Sequence, residues 1–153
     1  MAGICGVGVD AVDIGRFRQV LRRRPSLAER VFTAGELAYA RGALDPAPRL
    51  AARFAAKEAA LKVLGLGLGG VGWHELEVRR LPGGRPELAV RGRAAAVAAA
   101  QGVSRWHVSL THTELVAVAS LVAEGGERGE RAHRADVPPP GAEPAEEDRC
   151  SRC

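Results

Sequence analysis

Two charged side chains on one predicted helix have the spacing needed for chemistry on an anionic substrate. Glu58 and Lys62 stand one helical turn apart within the segment 49–64, which is rich in Ala and Leu and lacks internal Gly or Pro. Gly65 follows as a left-handed cap. Either the two residues form a solvated ion pair, contributing about 0.2–0.5 kcal/mol, or Glu58 handles a metal-bound polyphosphate. The second interpretation requires another carboxylate from elsewhere in the chain.

Further cations accompany Glu58 on the same predicted helix. An apolar stripe at spacings of four, seven and three residues predicts the face that packs into the core, and it consists of Leu50, Phe54, Leu61 and Leu64. The remaining surface is expected to carry three cations around the single carboxylate, namely Arg53, Lys57 and Lys62.

A candidate for the second carboxylate is Asp10, at the end of a strand predicted over residues 4–9. Gly6 and Gly8 share its face, and glycines in a strand let another segment approach closely. Alternatively, Asp10 caps the following helix, predicted roughly over residues 12–24. The residue by itself does not decide between these roles.

The predicted helix over residues 12–24 is strongly basic on one side. Its inward residues are predicted to be Val12, Phe17, Val20 and Leu21. The basic face is either solvated or a docking surface for an acidic partner, and the lack of nearby aromatics argues against single-stranded nucleic acid. The arginines on it are Arg16, Arg18, Arg22, Arg23 and Arg24.

Start signals for two further helices follow. Ser26–Glu29 and Thr33–Glu36 both fit the capping-box pattern, in which Ser or Thr precedes Glu by three residues. The second box opens a short helix predicted over residues 33–43. Asp45 and Pro46 then mark the start of the central helix.

A glycine-rich loop, Gly65–Gly72, follows the central helix and formally contains G-x-G-x-x-G. The dinucleotide fingerprint follows a strand and opens a helix. This loop follows a helix, so a Rossmann site is excluded. A loop that approaches a phosphate closely fits better, because glycine lets the backbone come near a ligand.

The rest of the folded region alternates between strands and one helix. The order of strand, helices, hairpin, helix and hairpin predicts an α+β fold with an antiparallel sheet. The predicted elements are a hairpin of residues 73–80 and 87–91 with Leu76 and Val78 on one face, a helix over 93–101, a strand over 105–111 and a buried strand over 115–123.

Hydroxyls and an imidazole cluster at the turn after residues 105–111, as Ser109, Thr111 and His112. A Ser–His nucleophile pair lacks the acid and the elbow that would support it. Two explanations remain: ordinary turn chemistry by Ser and Thr, or phosphate binding at a strand end.

Composition limits the domain organisation. With 153 residues, 46% of them hydrophobic, the chain can build one sizeable core. We predict one domain over residues 1–124 and a disordered tail over 125–153, rich in Gly, Pro, Glu and Arg. Cys150 and Cys153 in that tail lack the second pair and the context of a zinc or redox site.

Composition also indicates where the protein works. No apolar run is long enough to span a membrane, no basic leader opens the chain, and three cysteines make no disulfide framework. We therefore predict a cytoplasmic protein. The tail holds five Arg and seven Asp or Glu, so residues 1–124 hold 17 basic and 11 acidic side chains, which favours an anionic partner.

Four stretches together resemble a known family, the holo-(acyl-carrier-protein) synthases, which are small 4′-phosphopantetheinyl transferases. The resemblance covers about residues 3–123, and its most specific part is RFAAKEA, followed by Lys62 and Gly65. The stretches are Gly6–Asp10 (GVGVD) running on to Arg16 and Phe17, Arg30–Glu36 (RVFTAGE), Arg53–Ala59 (RFAAKEA) and Val108–Thr113 (VSLTHT), where Thr111 stands in place of the usual Ser.

The resemblance implies a fold and a reaction. The fold would be that of the 4′-phosphopantetheinyl transferases, an antiparallel sheet packed against a long central helix. Such enzymes move phosphopantetheine from coenzyme A to a serine of apo acyl carrier protein, for fatty-acid or polyketide synthesis, and release adenosine 3′,5′-bisphosphate. The family also implies a homotrimer with sites between subunits, and neither a membrane nor a nucleic acid as partner.

The resemblance further implies roles for individual residues. Asp10 and Glu58 would hold Mg²⁺ on the pyrophosphate, with Glu58 or a metal-bound hydroxide taking the serine proton, and Lys62 would neutralise the leaving phosphate. Arg16, with Arg18, Arg22 and Arg23, would meet the acidic carrier protein. The residues expected to contact coenzyme A are Arg53, Lys57, Lys62, Gly65, Ser109, Thr111 and His112.

Two other functions share part of this pattern. A Mg²⁺-dependent pyrophosphate hydrolase would need the same carboxylates but would consume coenzyme A without a carrier protein. A non-enzymatic basic module would depend on the arginines of residues 16–24 and would not need Asp10 or Glu58.

Overall fold

A computed structural model describes residues 3–126. These residues form five strands and five α-helices. In chain order they are β1 (Gly3–Asp13), α1 (Ile14–Arg23), α2 (Ser26–Val31), α3 (Ala34–Arg41), α4 (Ala47–Val63), a 3₁₀ turn (Trp73–Glu75), β2 (Leu76–Arg80), β3 (Pro86–Val90), α5 (Gly92–Ala100), β4 (Val103–His112) and β5 (Val116–Gly125).

The main sheet has three antiparallel strands in the order β1-β5-β4, and β2 pairs with β3 in a separate hairpin. The central strand β5 is the predicted buried strand, with Ala117, Ala119 and Leu121 fully buried. Leu76 and Val78 of β2 are also buried, as expected. The α+β prediction with an antiparallel sheet is therefore confirmed.

The helix α4 packs on the inner face of this sheet, and the glycines of β1 make the close approach possible. A Cβ atom on Gly8 would collide with the carbonyl oxygen of Ala59, and one on Gly6 would lie 2.9 Å from Cγ1 of Val63. Alanines on the facing side of α4 serve the same purpose, since Ala55 and Ala59 are fully buried. The segment that the glycine face was predicted to admit is thus α4.

Two apolar clusters flank α4 and hold it in place. One joins Leu61 and Leu64 to the sheet and the β2–β3 hairpin. The other joins Leu50 to the residues of α1, α2 and α3. The predicted apolar stripe is confirmed, although Phe54 is only half-buried. Because both ends of α4 are packed, its polar side chains have fixed directions.

The first strand and helix differ from the prediction. β1 continues to Asp13, so Asp10 lies within the strand and Val12 is a strand residue. Asp13, not Asp10, caps α1, since its carboxylate accepts a 2.7 Å hydrogen bond from the backbone N–H of Arg16. Val20, predicted to point inward, is 37% exposed.

Of the two predicted capping boxes, one is confirmed. The Thr33 side chain accepts from the N–H of Glu36, whose carboxylate accepts from the N–H of Thr33. The box at Ser26 is wrong, because α2 already begins at that residue after Pro25 and has no side-chain cap. The boundary signals of α4 are confirmed: Asp45 accepts from the N–H of Ala47, and Gly65 has a φ of 65°.

The last strand, β5, runs to Gly125, and the division into a domain over residues 1–124 and a tail stays a prediction. The predicted disordered tail covers residues 125–153, and its part from residue 127 onward, with Cys150 and Cys153, lies outside the described residues. Within residues 3–126, no helix is long and apolar enough to cross a membrane.

Candidate active site

Asp10, Glu58 and Lys62 come together where β1 crosses α4. Asp10 lies on the inner face of β1, and Lys62 Nζ contacts its Oδ1 at 2.8 Å and the carbonyl oxygen of Val9 at 2.9 Å. Lys62 therefore pairs with a carboxylate 52 residues away. A simple ion pair between Glu58 and Lys62 along the helix does not account for the arrangement.

Glu58 has an unusual environment for a carboxylate at this edge of the sheet. Burial raises its pKa above the ordinary glutamate value of 4.5, and the negative charge of Asp10 raises it further, while Lys62 partly opposes the shift. Two carboxylates that repel each other beside one ammonium group favour the binding of an additional cation. Within the described residues no third Asp, Glu, His or Cys completes a metal cluster.

Both carboxylates border a cavity of about 540 Å³ between β1, α1, α2 and α4. Its walls are otherwise mainly apolar, with Leu68 of the glycine-rich loop at one side and Arg16 of α1 at another. The other lining residues include Val12, Phe17, Val20, Leu21, Leu27, Val31, Phe32, Phe54 and Trp73. A ligand there would have its charged group at the carboxylate edge and an uncharged part against the apolar wall.

Sequence reasoning missed this wall. The three Phe residues of the chain and one of its two Trp residues line the same cavity. Phe54 stacks on Trp73 with ring centroids 5.5 Å apart, and Phe17 lies 5.5 Å from Phe54 and 6.3 Å from Phe32. The scarcity of aromatics was visible in the sequence, but their convergence depends on contacts between distant segments.

The predicted surface position of Lys57 is wrong. Its side chain is fully buried, and Nζ contacts Glu36 Oε2 at 2.8 Å. The same ammonium group donates to the carbonyl oxygens of Val31 at 2.7 Å and Trp73 at 3.1 Å. Burial lowers the pKa of Lys57, and the charge of Glu36 partly opposes that shift.

The predicted surface position of Arg53 is also wrong, since this residue is only 5% exposed. Its guanidinium stacks 4.0 Å from the centroid of the Tyr39 ring, which Arg49 also approaches, at 4.6 Å. Arg53 donates to the carbonyl oxygen of Arg49 at 3.2 Å. Its buried Nε has no hydrogen-bond partner among the described residues. The sequence carried no signal for this aromatic contact.

Ser109 and Thr111 lie on the outer face of the sheet, away from α4. Thr111 and Ala11 are both cross-strand partners of Val118, so they point to the same, outer face of the sheet. Asp10 is the next residue along β1 and points to the inner face. Adjacent residues of a strand point to opposite faces. His112 is exposed at the end of β4, with Nδ1 3.4 Å from the carbonyl oxygen of Thr113. A single chain therefore does not bring Ser109 and Thr111 to Asp10 and Glu58, whereas His112 pairs with Ala117 in the inward-facing row.

The basic face of α1 is partly exposed, as predicted. Arg16 is exposed at the rim of the cavity, and Arg22 and Arg23 are exposed further along the helix. Arg18 is partly engaged, because its guanidinium contacts the carboxylate of Asp45 at 2.6 Å. This contact lowers the pKa of Asp45.

The chain matches a family model over residues 6–119, described as the 4′-phosphopantetheinyl transferase superfamily. It is 54% identical over 121 residues to a holo-(acyl-carrier-protein) synthase of Frankia casuarinae, covering 79% of this chain and 98% of that protein.

Solved structures indicate the same family. A holo-(acyl-carrier-protein) synthase from Neisseria meningitidis has a TM-score of 0.72 at 32% identity, over 79% of this chain and 98% of that one. A holo-(acyl-carrier-protein) synthase from Bacillus anthracis, in complex with coenzyme A (3′,5′-ADP), has a TM-score of 0.67 at 31% identity, over 80% and 98%. The chain therefore belongs to the 4′-phosphopantetheinyl transferase superfamily, among the holo-(acyl-carrier-protein) synthases.

Proposed function

We propose that this chain transfers 4′-phosphopantetheine from coenzyme A to a serine of apo acyl carrier protein. The observation that carries the proposal is the meeting of Asp10, Glu58 and Lys62 at the edge of an apolar cavity. Such an edge suits a pyrophosphate, and the cavity suits an uncharged arm. The coenzyme A bound to the related protein from B. anthracis supports the same substrate.

Asp10 and Glu58 fit a bound Mg²⁺, because this ion usually takes one or two protein carboxylates together with substrate phosphates and water. When bound, the ion would offset negative charge on the pyrophosphate. The pKa of Glu58 is raised first by burial and then by the negative charge of Asp10, and a cation shared by the two carboxylates would offset that second contribution.

The chain's own residues contribute two further actions. The serine oxygen bonds to the transferred phosphorus, the bond to the adenosine 3′,5′-bisphosphate oxygen breaks, and Glu58 accepts the serine proton. A carboxylate with a raised pKa is a better proton acceptor near neutral pH than an ordinary glutamate. Lys62 lies close enough to Asp10 to meet the leaving phosphate and stabilise its charge.

One predicted contact with coenzyme A is withdrawn because its side chain is buried, and two stay. Lys57 has three partners inside the chain and no exposed surface, so we leave it out of the ligand site. Arg53 stays a predicted phosphate contact, although only 5% of it is exposed. Gly65 stays a prediction as part of the loop beside the nucleotide.

A homotrimer would complete the site. The outer face of β1 carries apolar side chains, with Val7 60% and Val9 52% exposed, and apolar patches of this kind mark protein contacts. Ser109 and Thr111 share this face. A neighbouring subunit on it would place its own Asp10 and Glu58 near Ser109, Thr111 and His112 of the first chain.

Complementation tests the shared site. Glu58→Gln and His112→Ala should each be inactive. When the two variants are mixed, mildly denatured so that their subunits exchange, and refolded, the mixture should regain part of the parental rate. The gain occurs because some mixed trimers contain a site with both native residues. Sedimentation should show a trimer for both variants. A mixture as inactive as its components would contradict a site between subunits.

The arginines of α1 suit the carrier protein. Arg16 presents positive charge at the rim of the cavity, and Arg22 and Arg23 are exposed further along α1, where an acidic protein delivering its serine would bind. A role in fatty-acid or polyketide synthesis and a cytoplasmic location stay predictions from the sequence.

Product analysis separates the transferase from a pyrophosphate hydrolase. Incubation with coenzyme A and Mg²⁺ should release adenosine 3′,5′-bisphosphate only when apo carrier protein is added, in equal amount to the carrier modified. EDTA should stop the release. Equal release without carrier protein would favour the hydrolase, and no release with carriers of several types would contradict both.

A further inference from the structure

The buried pair of Lys57 and Glu36 lies directly behind the candidate active site. Lys57 precedes Glu58 in α4, and the two side chains point in different directions because successive helix residues are about 100° apart. Both members of the pair have no exposed side-chain surface, and their charged atoms are 2.8 Å apart. Buried ion pairs are often no more stabilising than apolar residues of similar volume, so another role has to be considered.

The hydrogen bonds of the pair connect segments that are far apart in the chain. Lys57 donates to the carbonyl oxygen of Val31, at the end of α2, and to that of Trp73, in the 3₁₀ turn. With Glu36 these acceptors account for all three ammonium protons. Glu36 in turn accepts from the backbone N–H groups of Thr33 and Val78.

The segments held by Lys57 form the apolar wall of the cavity. Val31 and Trp73 line it, as does Phe32, whose ring centroid lies 5.4 Å from Lys57 Nζ. Asp10 and Glu58 line the same cavity. One side chain of α4 thus holds the wall, and the next side chain faces the reacting groups.

We propose that Lys57 and Glu36 are positioning residues, which fix the Val31–Phe32 and Trp73 wall relative to the Glu58 carboxylate and so align the substrate for transfer. This inference rests on the proposed function for its kinetic part. A reacting group misplaced by about 1 Å can lose about 100-fold in rate. Lys57 and Glu36 therefore affect kcat by holding the cavity wall in place, without contacting the ligand themselves.

The test compares variants that keep or remove the bonds to the wall. Glu36→Gln removes one charge but keeps Lys57 within reach of both carbonyl oxygens, so its kcat should stay at least about threefold above that of the double variant. Lys57→Met/Glu36→Gln removes both charges and both bonds, and kcat should fall about 10- to 100-fold. KM for coenzyme A should change little, because Asp10, Glu58 and Lys62 are untouched.

Loss of stability has to be separated from loss of alignment. Leu88→Ala truncates a buried side chain of β3 outside the cavity and serves as the destabilised control. All rates are measured well below each melting temperature, where circular dichroism shows the native fold. The control should keep the parental kcat. Should the double variant not fold, Lys57→Gln takes its place with the same expected changes.

A second readout does not depend on activity. In a Trp106→Phe background, Trp73 is the only remaining tryptophan, and acrylamide should quench it more strongly in the double variant than in the parent or in Leu88→Ala. Stronger quenching would support the role of Lys57 and Glu36 in holding the Trp73 wall even if the chain transfers no phosphopantetheine. Unchanged quenching, or changed quenching with a parental kcat in an active enzyme, would overturn the inference.

Discussion

Helix α4 carries two ammonium–carboxylate pairs of the same length in opposite environments. Lys57 and Glu36 are 2.8 Å apart with both side chains fully buried. Lys62 and Asp10 are also 2.8 Å apart, but their side chains are 54% and 18% exposed. Distance alone therefore does not separate a structural pair from a functional one.

The difference lies in what each pair leaves available. All three protons of Lys57 have acceptors within the chain. Lys62 contacts two acceptors and has half of its surface open to solvent. Glu58 beside it has a raised pKa. The buried pair thus fixes the segments around the cavity, whereas the exposed pair and Glu58 keep the capacity to bind a ligand.

The largest effect is expected for Glu58→Gln, which removes the charge and the proton acceptor at nearly constant volume. The transfer rate should fall at least about 100-fold. Stability at neutral pH should not fall, because burial and Asp10 disfavour the charged form of Glu58. Rates and thermal melts of this variant are compared with those of Glu29→Gln, which removes an exposed carboxylate on α2. A variant with near-parental rates at limiting Mg²⁺ would contradict the assignment.

The two lysines should respond differently to the same substitution. Lys57→Met leaves Glu36 buried without its partner and should lower the free energy of unfolding by about 3–5 kcal/mol. Lys62→Met removes a partly exposed pair and should lower it by no more than about 1 kcal/mol. Urea unfolding of both variants measures the difference. Equal losses would remove the distinction between the pairs.

The pH dependence sharpens the distinction further. Because Glu58 must be ionised to accept a proton, kcat should fall as pH decreases through its pKa, by up to about tenfold per pH unit. Burial and Asp10 raise the pKa of Glu58 in the metal-free chain, whereas bound Mg²⁺ would lower it, so the limb should move to higher pH at limiting Mg²⁺. The pH profiles of the parent and of Glu58→Asp, which keeps a carboxylate, are recorded together. A rate that is independent of pH between about 4 and 7 would argue for another proton acceptor.

The smallest effect is expected away from the reacting groups. Arg16→Glu should raise KM for the carrier protein about tenfold, since a desolvated charge contact is replaced by repulsion, and should leave KM for coenzyme A nearly unchanged. Arg41→Glu, on the far end of α3, is the control for net charge. Equal rises in both KM values would show that Arg16 is not a docking residue.

Several features of the site were predictable because they depend on local patterns. The glycine face of β1, the cap at Gly65 and the capping box at Thr33 each follow from a few neighbouring residues. Asp10 and Glu58 were predicted as partners from their residue types and from the family resemblance. The structure brings both to one cavity.

Other features depend on contacts that no short pattern contains. Lys57 was assigned to the surface because its helical position is not on the apolar stripe, but its partner Glu36 comes from another helix. Arg53 is covered by Tyr39 in the same way. Val12 was assigned to α1 because the sequence does not mark where β1 ends, and Asp13 rather than Asp10 caps the helix.

The central claim is that this chain moves phosphopantetheine to a carrier serine through the Asp10–Glu58 site. Intact-mass spectrometry of apo carrier protein, incubated with the chain, coenzyme A and Mg²⁺, tests it most directly. We expect a gain of about 340 Da, the mass of the phosphopantetheine group after phosphoryl transfer. The gain should be absent with EDTA, with Glu58→Gln, and with a carrier whose serine is replaced by alanine. A parental gain with Glu58→Gln, or none with the parent chain and several carriers, would contradict the claim.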